Sequence, residues 1–292
     1  MRYEGAVIRP PSEADSLILQ VTYGCSNNTC DFCGTYLGKP FRVRPYEDVV
    51  ADIEGLPAWY KKECRRVFLA DGDALVLPQR RLLDLLSFLF AQLPSLERVT
   101  SYANAQNLLK KTVEQLRELR AAGLTMLYVG LESGDEQTLA EVHKGVTVAQ
   151  QIEACRKAKA ADIELSITCI LGIAGVERSL IHGRATGEAL SAIDPEYIGV
   201  LSLIIQEGTP IATRIQRGEL VLPDPIGMLR ELREMIAATN VTHALFRSNH
   251  ASNYLPVGGR LPQDKERMLA ALDTVLAHPE KARLRPEGWR AL

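Results

Sequence analysis

Ser16-Leu-Ile-Leu-Gln-Val-Thr-Tyr-Gly-Cys25-Ser-Asn-Asn-Thr-Cys30-Asp-Phe-Cys33 is the stretch on which the fold turns. Its first half is a short apolar run with a β-branched residue at each end of its core, which reads as a buried strand ending at Gly24. Its second half packs three cysteines into one short loop. Working outward, a helix is expected over 45–62, opened by Pro45 and carrying Val49, Val50, Ile53 and Leu56 on one face. A second strand over 66–70 ends in Asp71-Gly72-Asp73, and a helix after Pro78 presents Leu82, Leu83, Leu85, Leu86, Leu89 and Phe90 as a broad apolar stripe. Strands over 98–102, 125–130, 163–171 and 197–205 follow, separated by helices over 112–122 and 147–161. Strands alternating with helices of this length imply right-handed βα units and a parallel sheet.

Where the unusual residues fall selects among parallel folds. Cys25 to Cys33, Asp71-Gly72-Asp73, Tyr102, Glu132-Ser133-Gly134, Gly172 to Gly175 and Glu207-Gly208 follow the six strands in turn. A barrel gathers every such strand end on one face, whereas an open sheet gathers only those nearest its switch point. The expected fold class is therefore α/β, a partial (β/α)6 TIM-type barrel with a short C-terminal α/β extension. The expected division is 1–206 for the barrel core and 207–292 for an extension packed on the same domain.

The chain of 292 residues is long enough to bury a core without disulfides. Its 34 Lys and Arg nearly balance its 36 Asp and Glu, so binding of nucleic acid by bulk charge is disfavoured. No apolar run is long enough for a membrane helix, and the first residues lack the charged and apolar blocks of a secretory signal. A cytoplasmic enzyme is expected. In a reducing compartment three clustered cysteines point to metal rather than to disulfides. Zinc commonly takes four ligands as two separated pairs, but here there is no second cysteine pair and no histidine before His143. Three thiolates without a fourth partner suit an iron–sulfur cluster with one iron left open. Two readings stay open beside it: a zinc enzyme recruiting His182 or His250, and simple buried thiols, the reading expected of Cys64, Cys155 and Cys169.

The cysteine loop after the first strand of an α/β barrel resembles that of the radical S-adenosylmethionine (SAM) enzymes, over roughly residues 16–210. The spacing is C-x4-C-x2-C, one residue longer than the C-x3-C-x2-C of most of that family. The resemblance implies that Cys25, Cys30 and Cys33 hold a [4Fe-4S] cluster whose open iron is chelated by SAM. It implies that Phe32 and Tyr36 lie near the adenine. Asp71-Gly72-Asp73 stands where the family often has Gly-Gly-Glu, which implies that Gly72 and Asp73 meet the SAM ammonium. Gly130-Leu-Glu-Ser-Gly134 with Val142-His-Lys-Gly145 resembles the coproporphyrinogen-dehydrogenase-like and elongator-like branches. By that likeness Glu132 or Ser133 binds the ribose hydroxyls, Lys144 neutralises the SAM carboxylate, and Gly172 lets the backbone approach the adenine. The same likeness implies reductive cleavage of SAM to a 5′-deoxyadenosyl radical.

The remaining candidates concern the substrate. Tyr102 stands where relatives often carry a glutamate. The segment containing Arg247, Asn249, His250 and Asn253 has more polar residues than a turn needs. Tyr102, His250 and Asn253 are the expected catalytic candidates, acting on a small polar molecule. An electron donor such as flavodoxin or ferredoxin is the expected partner. With only about 85 residues after the sixth strand, the long substrate-covering domain of the coproporphyrinogen enzymes is not expected. An electron-transfer or cluster-carrier protein without SAM cleavage is the competing function.

Overall fold

The computed structural model describes residues 1–291. The strands are β1 (Leu17–Gln20), β2 (Thr22–Tyr23), β3 (Arg42–Val43), β4 (Arg66–Ala70), β5 (Arg98–Ala103), β6 (Leu124–Glu132), β7 (Glu164–Leu171), β8 (Tyr197–Ser202), β9 (Ala244–Ser248) and β10 (Val257–Leu261). The helices are α1 (Tyr46–Glu54), α2 (Ala58–Glu63), α3 (Gln79–Gln92), α4 (Ala105–Lys110), α5 (Val113–Ala121), α6 (Glu136–Glu141), α7 (Val148–Lys159), α8 (Gly175–Ile193), α9 (Pro210–Gln216), α10 (Pro225–Ala238) and α11 (Lys265–Ala277). The chain divides into two compact units. The first comprises Met1–Asn28, Thr35–Val129 and Glu153–Leu165; the second comprises Thr29–Gly34, Gly130–Ile152 and the chain from Ser166 onward.

In the first unit β1, β4, β5 and β6 pair in parallel, with Leu19 beside Leu69 and Tyr102 beside Tyr128. Leu82, Leu85, Leu86 and Leu89 of α3 are buried, whereas Leu83 and Phe90 of the expected stripe are only partly so, and the face that packs is narrower than the sequence pattern. Each buried leucine stabilises the fold by about 2 kcal/mol. On another face of the sheet Phe68, Tyr102 and Tyr128 meet edge-to-face, with centroids 4.9 Å apart for Phe68 and Tyr102. The helix expected over 45–62 is in fact two, α1 and α2, broken at Gly55-Leu56-Pro57. Pro57 lacks an N–H and forces Leu56 out of helical conformation, and the periodic apolar pattern hid that break. The cysteine stretch also has a base that was not foreseen. β2 and β3 form an antiparallel pair, Thr22 with Val43 and Tyr23 with Arg42, which brackets residues 24–41.

In the second unit β7, β8 and β9 pair in parallel and β10 returns antiparallel to β9. Residues beyond 206 thus supply two strands as well as helices α9, α10 and α11. Helix α10 lies directly against α8. A methyl on Gly183 would sit 2.6 Å from the Glu231 carbonyl oxygen, and one on Gly187 would sit 2.4 Å from that of Met235. The two glycines, one turn apart, let the backbones approach closer than any side chain allows. Cys64, Cys155 and Cys169 are buried, as core thiols should be.

Candidate functional site

In the first unit the cysteine loop is fastened by a residue that sequence reasoning passed over. Asp71, fully buried at the end of β4, accepts from the Gly24 backbone N–H at 3.2 Å and from the Tyr36 hydroxyl at 3.0 Å. It also accepts from Gln20 at 3.3 Å. One carboxylate therefore ties the chain just before Cys25 to the chain just after Cys33. Burial raises the Asp71 pKa, and the three donors oppose that rise. Gly72 then passes so close that a methyl there would lie 2.8 Å from both Cys25 Cβ and the Tyr36 ring. Tyr36, expected beside the adenine, is buried, and its hydroxyl donates to Asp71. Burial pushes that hydroxyl well above the ordinary tyrosine range, so it donates to the carboxylate as a neutral phenol.

Asp73 is fully buried as well. Its Oδ2 accepts from Ser26 Oγ at 2.8 Å and from the Asn107 amide, while Oδ1 makes no hydrogen bond. Burial drives its pKa up to about 6, against the pull of Ser26 and Asn107. Around it α4 and its cap grip the first leg of the cysteine loop. Asn104 and Asn107 each donate to Ser26 Oγ at 3.0 Å, and Gln106 donates to Asn27 at 3.2 Å. These amides were not foreseen either; their signal was the run Asn104-Ala-Gln-Asn107 directly after a strand end. Tyr102 is packed against Phe68 and Tyr128, and burial raises its hydroxyl pKa.

In the second unit Cys30 and Cys33 belong to a turn, with Cys33 N–H donating to the Cys30 carbonyl at 3.2 Å. Asp31 N–H donates to the Val142 carbonyl at 3.0 Å, and the Asp31 carboxylate contacts His143 Nδ1 at 2.9 Å. The turn's far side is held by Gly34 N–H, which donates to Gln206 Oε1 at 2.6 Å. Phe32, expected near the adenine, packs on the apolar cluster of Val142, Ile173, Leu203, Ile211 and Leu220. Burial raises the Cys30 thiol to about 11, while the Lys144 charge pulls it down. Lys144 is paired with Glu132 at 2.9 Å, both nearly buried. Glu132 has φ 62, an uncommon conformation for a residue with a side chain. The two residues expected to face different parts of SAM therefore face one another.

Ser133 is fully buried, with its hydroxyl 2.8 Å from His182 Nδ1 and accepting from Asp135 N–H at 2.9 Å. These bonds engage the hydroxyl that was expected to meet the ribose. Gly172 has φ 81, and a methyl there would collide with Met228 Cε at 2.3 Å. Asn253 is likewise spent on the fold. It accepts from Ser202 Oγ at 2.8 Å and donates to the Val200 carbonyl at 2.7 Å and to Ser248 Oγ at 3.1 Å, cross-linking β8 to β9. A polar residue after a strand looks identical in sequence whether it faces a ligand or locks two strands. His250 is part-buried beside Ser252, and its pKa is lowered by burial and then by the Arg285 charge. Its imidazole is therefore neutral near pH 7.

Among the described residues no three His, Cys, Asp or Glu side chains stand close enough to share one metal ion. A cubane asks for something else, one thiolate on each of three irons. Cys25, Cys30 and Cys33 form no disulfide and are partly exposed, and as thiols they are the soft donor type such a cluster takes. The unbonded Asp73 Oδ1 is an acceptor that an ammonium would satisfy. In chemical type, the thiols suit a cluster and the open Asp73 oxygen suits an ammonium.

Comparison with known proteins agrees. The Radical SAM superfamily pattern matches residues 19–180. The chain is 24% identical over 199 residues to the heme chaperone HemW of Bacillus subtilis (strain 168), covering 67% of this chain and 51% of that protein. It thus spans about half the length of that curated relative. Among solved structures, methylornithine synthase (PylB) superposes with a TM-score of 0.54 at 17% identity, over 93% of this chain and 74% of that one. Coproporphyrinogen III oxidase (HemN) of Escherichia coli, a radical SAM enzyme, superposes with a TM-score of 0.52 at 16% identity, over 76% and 51%. The fold is the mostly parallel α/β architecture of these enzymes, the partial-barrel type expected. Enzymes of this kind use a [4Fe-4S] cluster and SAM, and with more than half of its length matched, this chain belongs to the radical SAM superfamily.

Proposed function

We propose that this chain cleaves SAM reductively at a [4Fe-4S] cluster held by Cys25, Cys30 and Cys33, and uses the product radical on a small polar substrate. The observation that carries the reading is the three-thiol loop, inside the matched region and fastened on either side by Asp71. Held by Cys25, Cys30 and Cys33, the cluster would supply the single electron for reductive cleavage of SAM, which yields methionine and a radical able to take a hydrogen atom from the substrate. This chain's own residues do the binding. Asp73 offers its open oxygen to the ammonium, and Gly72 keeps the backbone beside it slim. Lys144 and Glu132, each neutralised by the other in the ligand-free protein, exchange that bond for the SAM carboxylate and the ribose. The Gly172 turn admits the adenine. Fixing the ligand in this way turns an encounter into a set geometry, which is the larger part of what the protein contributes.

The relatives carry different activities in their names, a heme chaperone and a methylornithine synthase, so the substrate is argued from this chain. Tyr102, a neutral phenol, and His250, a neutral imidazole, suit hydrogen bonding to a small polar molecule rather than pairing with an anion. The electron comes from a flavodoxin- or ferredoxin-like donor in the cytoplasm. No described helix is long and apolar enough to cross a membrane.

Anaerobic reconstitution with iron and sulfide, followed by dithionite and SAM, tests the reading through 5′-deoxyadenosine. The expected result is brown protein that forms the nucleoside, with both colour and product lost in Cys30→Ala. Iron bound without nucleoside would make the chain an electron or cluster carrier. Colourless protein with stoichiometric zinc would make it a zinc enzyme.

A further inference from the structure

We infer that Glu231, on α10 beyond the family-matched residues, is a positioning residue for SAM, setting the shape of the turn that receives the nucleoside. This inference rests on the SAM-cleaving function proposed above. Glu231 is fully buried, in a helix that the match over residues 19–180 does not include. Its Oε1 accepts from Gly172 N–H at 2.7 Å and its Oε2 from Ser179 Oγ. His182 Nε2 stands 3.3 Å from the same Oε1 without being aligned as a hydrogen bond. Through the other nitrogen of His182 the chain of contacts reaches Ser133, next to Glu132. One turn before Glu231, Met228 packs over Gly172 from the same helix face.

A carboxylate placed at zero exposure costs several kcal/mol unless donors surround it. The fold meets that cost with groups from the loop after β7 and from α8, rather than with a lysine or arginine of α10 itself. A buried leucine would hold α10 against α8 without that penalty. What the carboxylate adds is direction: the Gly172 N–H is fixed by a charge-assisted bond, and with it the φ 81 backbone of the turn. Outer-layer hydrogen bonds of this kind commonly change ligand affinity by about 10–100-fold when removed. Residues beyond the matched region thus shape the cofactor turn without touching the cofactor.

The test is Glu231→Gln in the reconstituted protein, which keeps the side chain's length and loses its charge. SAM binding by equilibrium dialysis should weaken by about tenfold, and the SAM KM should rise with it. The iron content, the visible spectrum and kcat at saturating SAM should stay within about twofold of wild type. Met235→Ala, on the same helix but away from the turn, should lower the thermal midpoint and leave SAM affinity unchanged. Hydrogen–deuterium exchange on the wild-type protein gives an arm independent of any variant's folding. SAM should slow exchange in residues 225–238 together with residues 172–176. Unchanged SAM affinity in Glu231→Gln, an equal loss in Met235→Ala, or no protection of 225–238 would each overturn the inference. Absence of nucleoside product from the wild type would instead overturn the SAM-cleaving reading itself.

Discussion

Asp71, Gly72 and Asp73 form one tripeptide with three separate duties, and each can be tested alone. Asp71 fastens the cysteine loop, Gly72 makes room for it, and Asp73 keeps an acceptor open behind it. Gly72→Ala should push Cys25 and Tyr36 apart, costing about 1–3 kcal/mol and sharply lowering iron bound per chain after reconstitution. Iron content equal to wild type would refute the close approach. Asp73 gives a pH signature. Its folded pKa is raised from 3.8 to about 6, so the folded protein holds this proton more tightly than the unfolded chain does. The stability so gained is full below about pH 4 and is lost as pH rises through about 6, up to about 3 kcal/mol for a fully buried group. Urea denaturation of the iron-free protein should show that fall, and Asp73→Asn should flatten it. Asn253→Ala should act on stability rather than turnover, since it orphans Ser202, Ser248 and a β8 carbonyl. A loss of about 1–3 kcal/mol in chemical denaturation is expected, with the SAM KM unchanged.

At the scale of elements, the strands were legible because alternation and apolar runs report burial directly, and each βα unit came out in chain order. So did most of the apolar stripe of α3, while the capping box of Thr112 and Gln115 at the start of α5 is a detail the structure adds. Less legible was what depends on partners distant in sequence. Phe32 and Tyr36 are aromatic residues beside a cysteine loop whether they face an adenine or an apolar cluster. Nothing local distinguishes the two. The α8–α10 contact did leave a trace, the Gly183-x-x-x-Gly187 spacing, but small residues one turn apart also occur on helices that pack nothing. Gly183→Ala or Gly187→Ala should each lower the thermal midpoint, equivalent to about 1–3 kcal/mol, because the added methyl meets backbone oxygens that cannot swing away. A substitution there without effect would mean that the two helices do not lie so close.

For the molecule as a whole, three thiols in nine residues pointed to an iron–sulfur cluster while zinc and buried thiols stayed open, and it was the resemblance to the radical SAM enzymes that named the chemistry. The family match over residues 19–180 bears out that naming, and the structure adds how the loop is held: a β2–β3 base, the Asp71 fastening and the amides of α4. The substrate stayed out of reach of the sequence because the polar residues after β9 serve two ends, and the bonds of Asn253 show one of them to be the fold. The most direct measurement is electron paramagnetic resonance of the dithionite-reduced, reconstituted protein with and without SAM. A reduced [4Fe-4S] signal whose g-values shift when SAM is added is the predicted result, since SAM would bind the one iron that Cys25, Cys30 and Cys33 leave open. A [4Fe-4S] signal identical in the presence and absence of saturating SAM would contradict it.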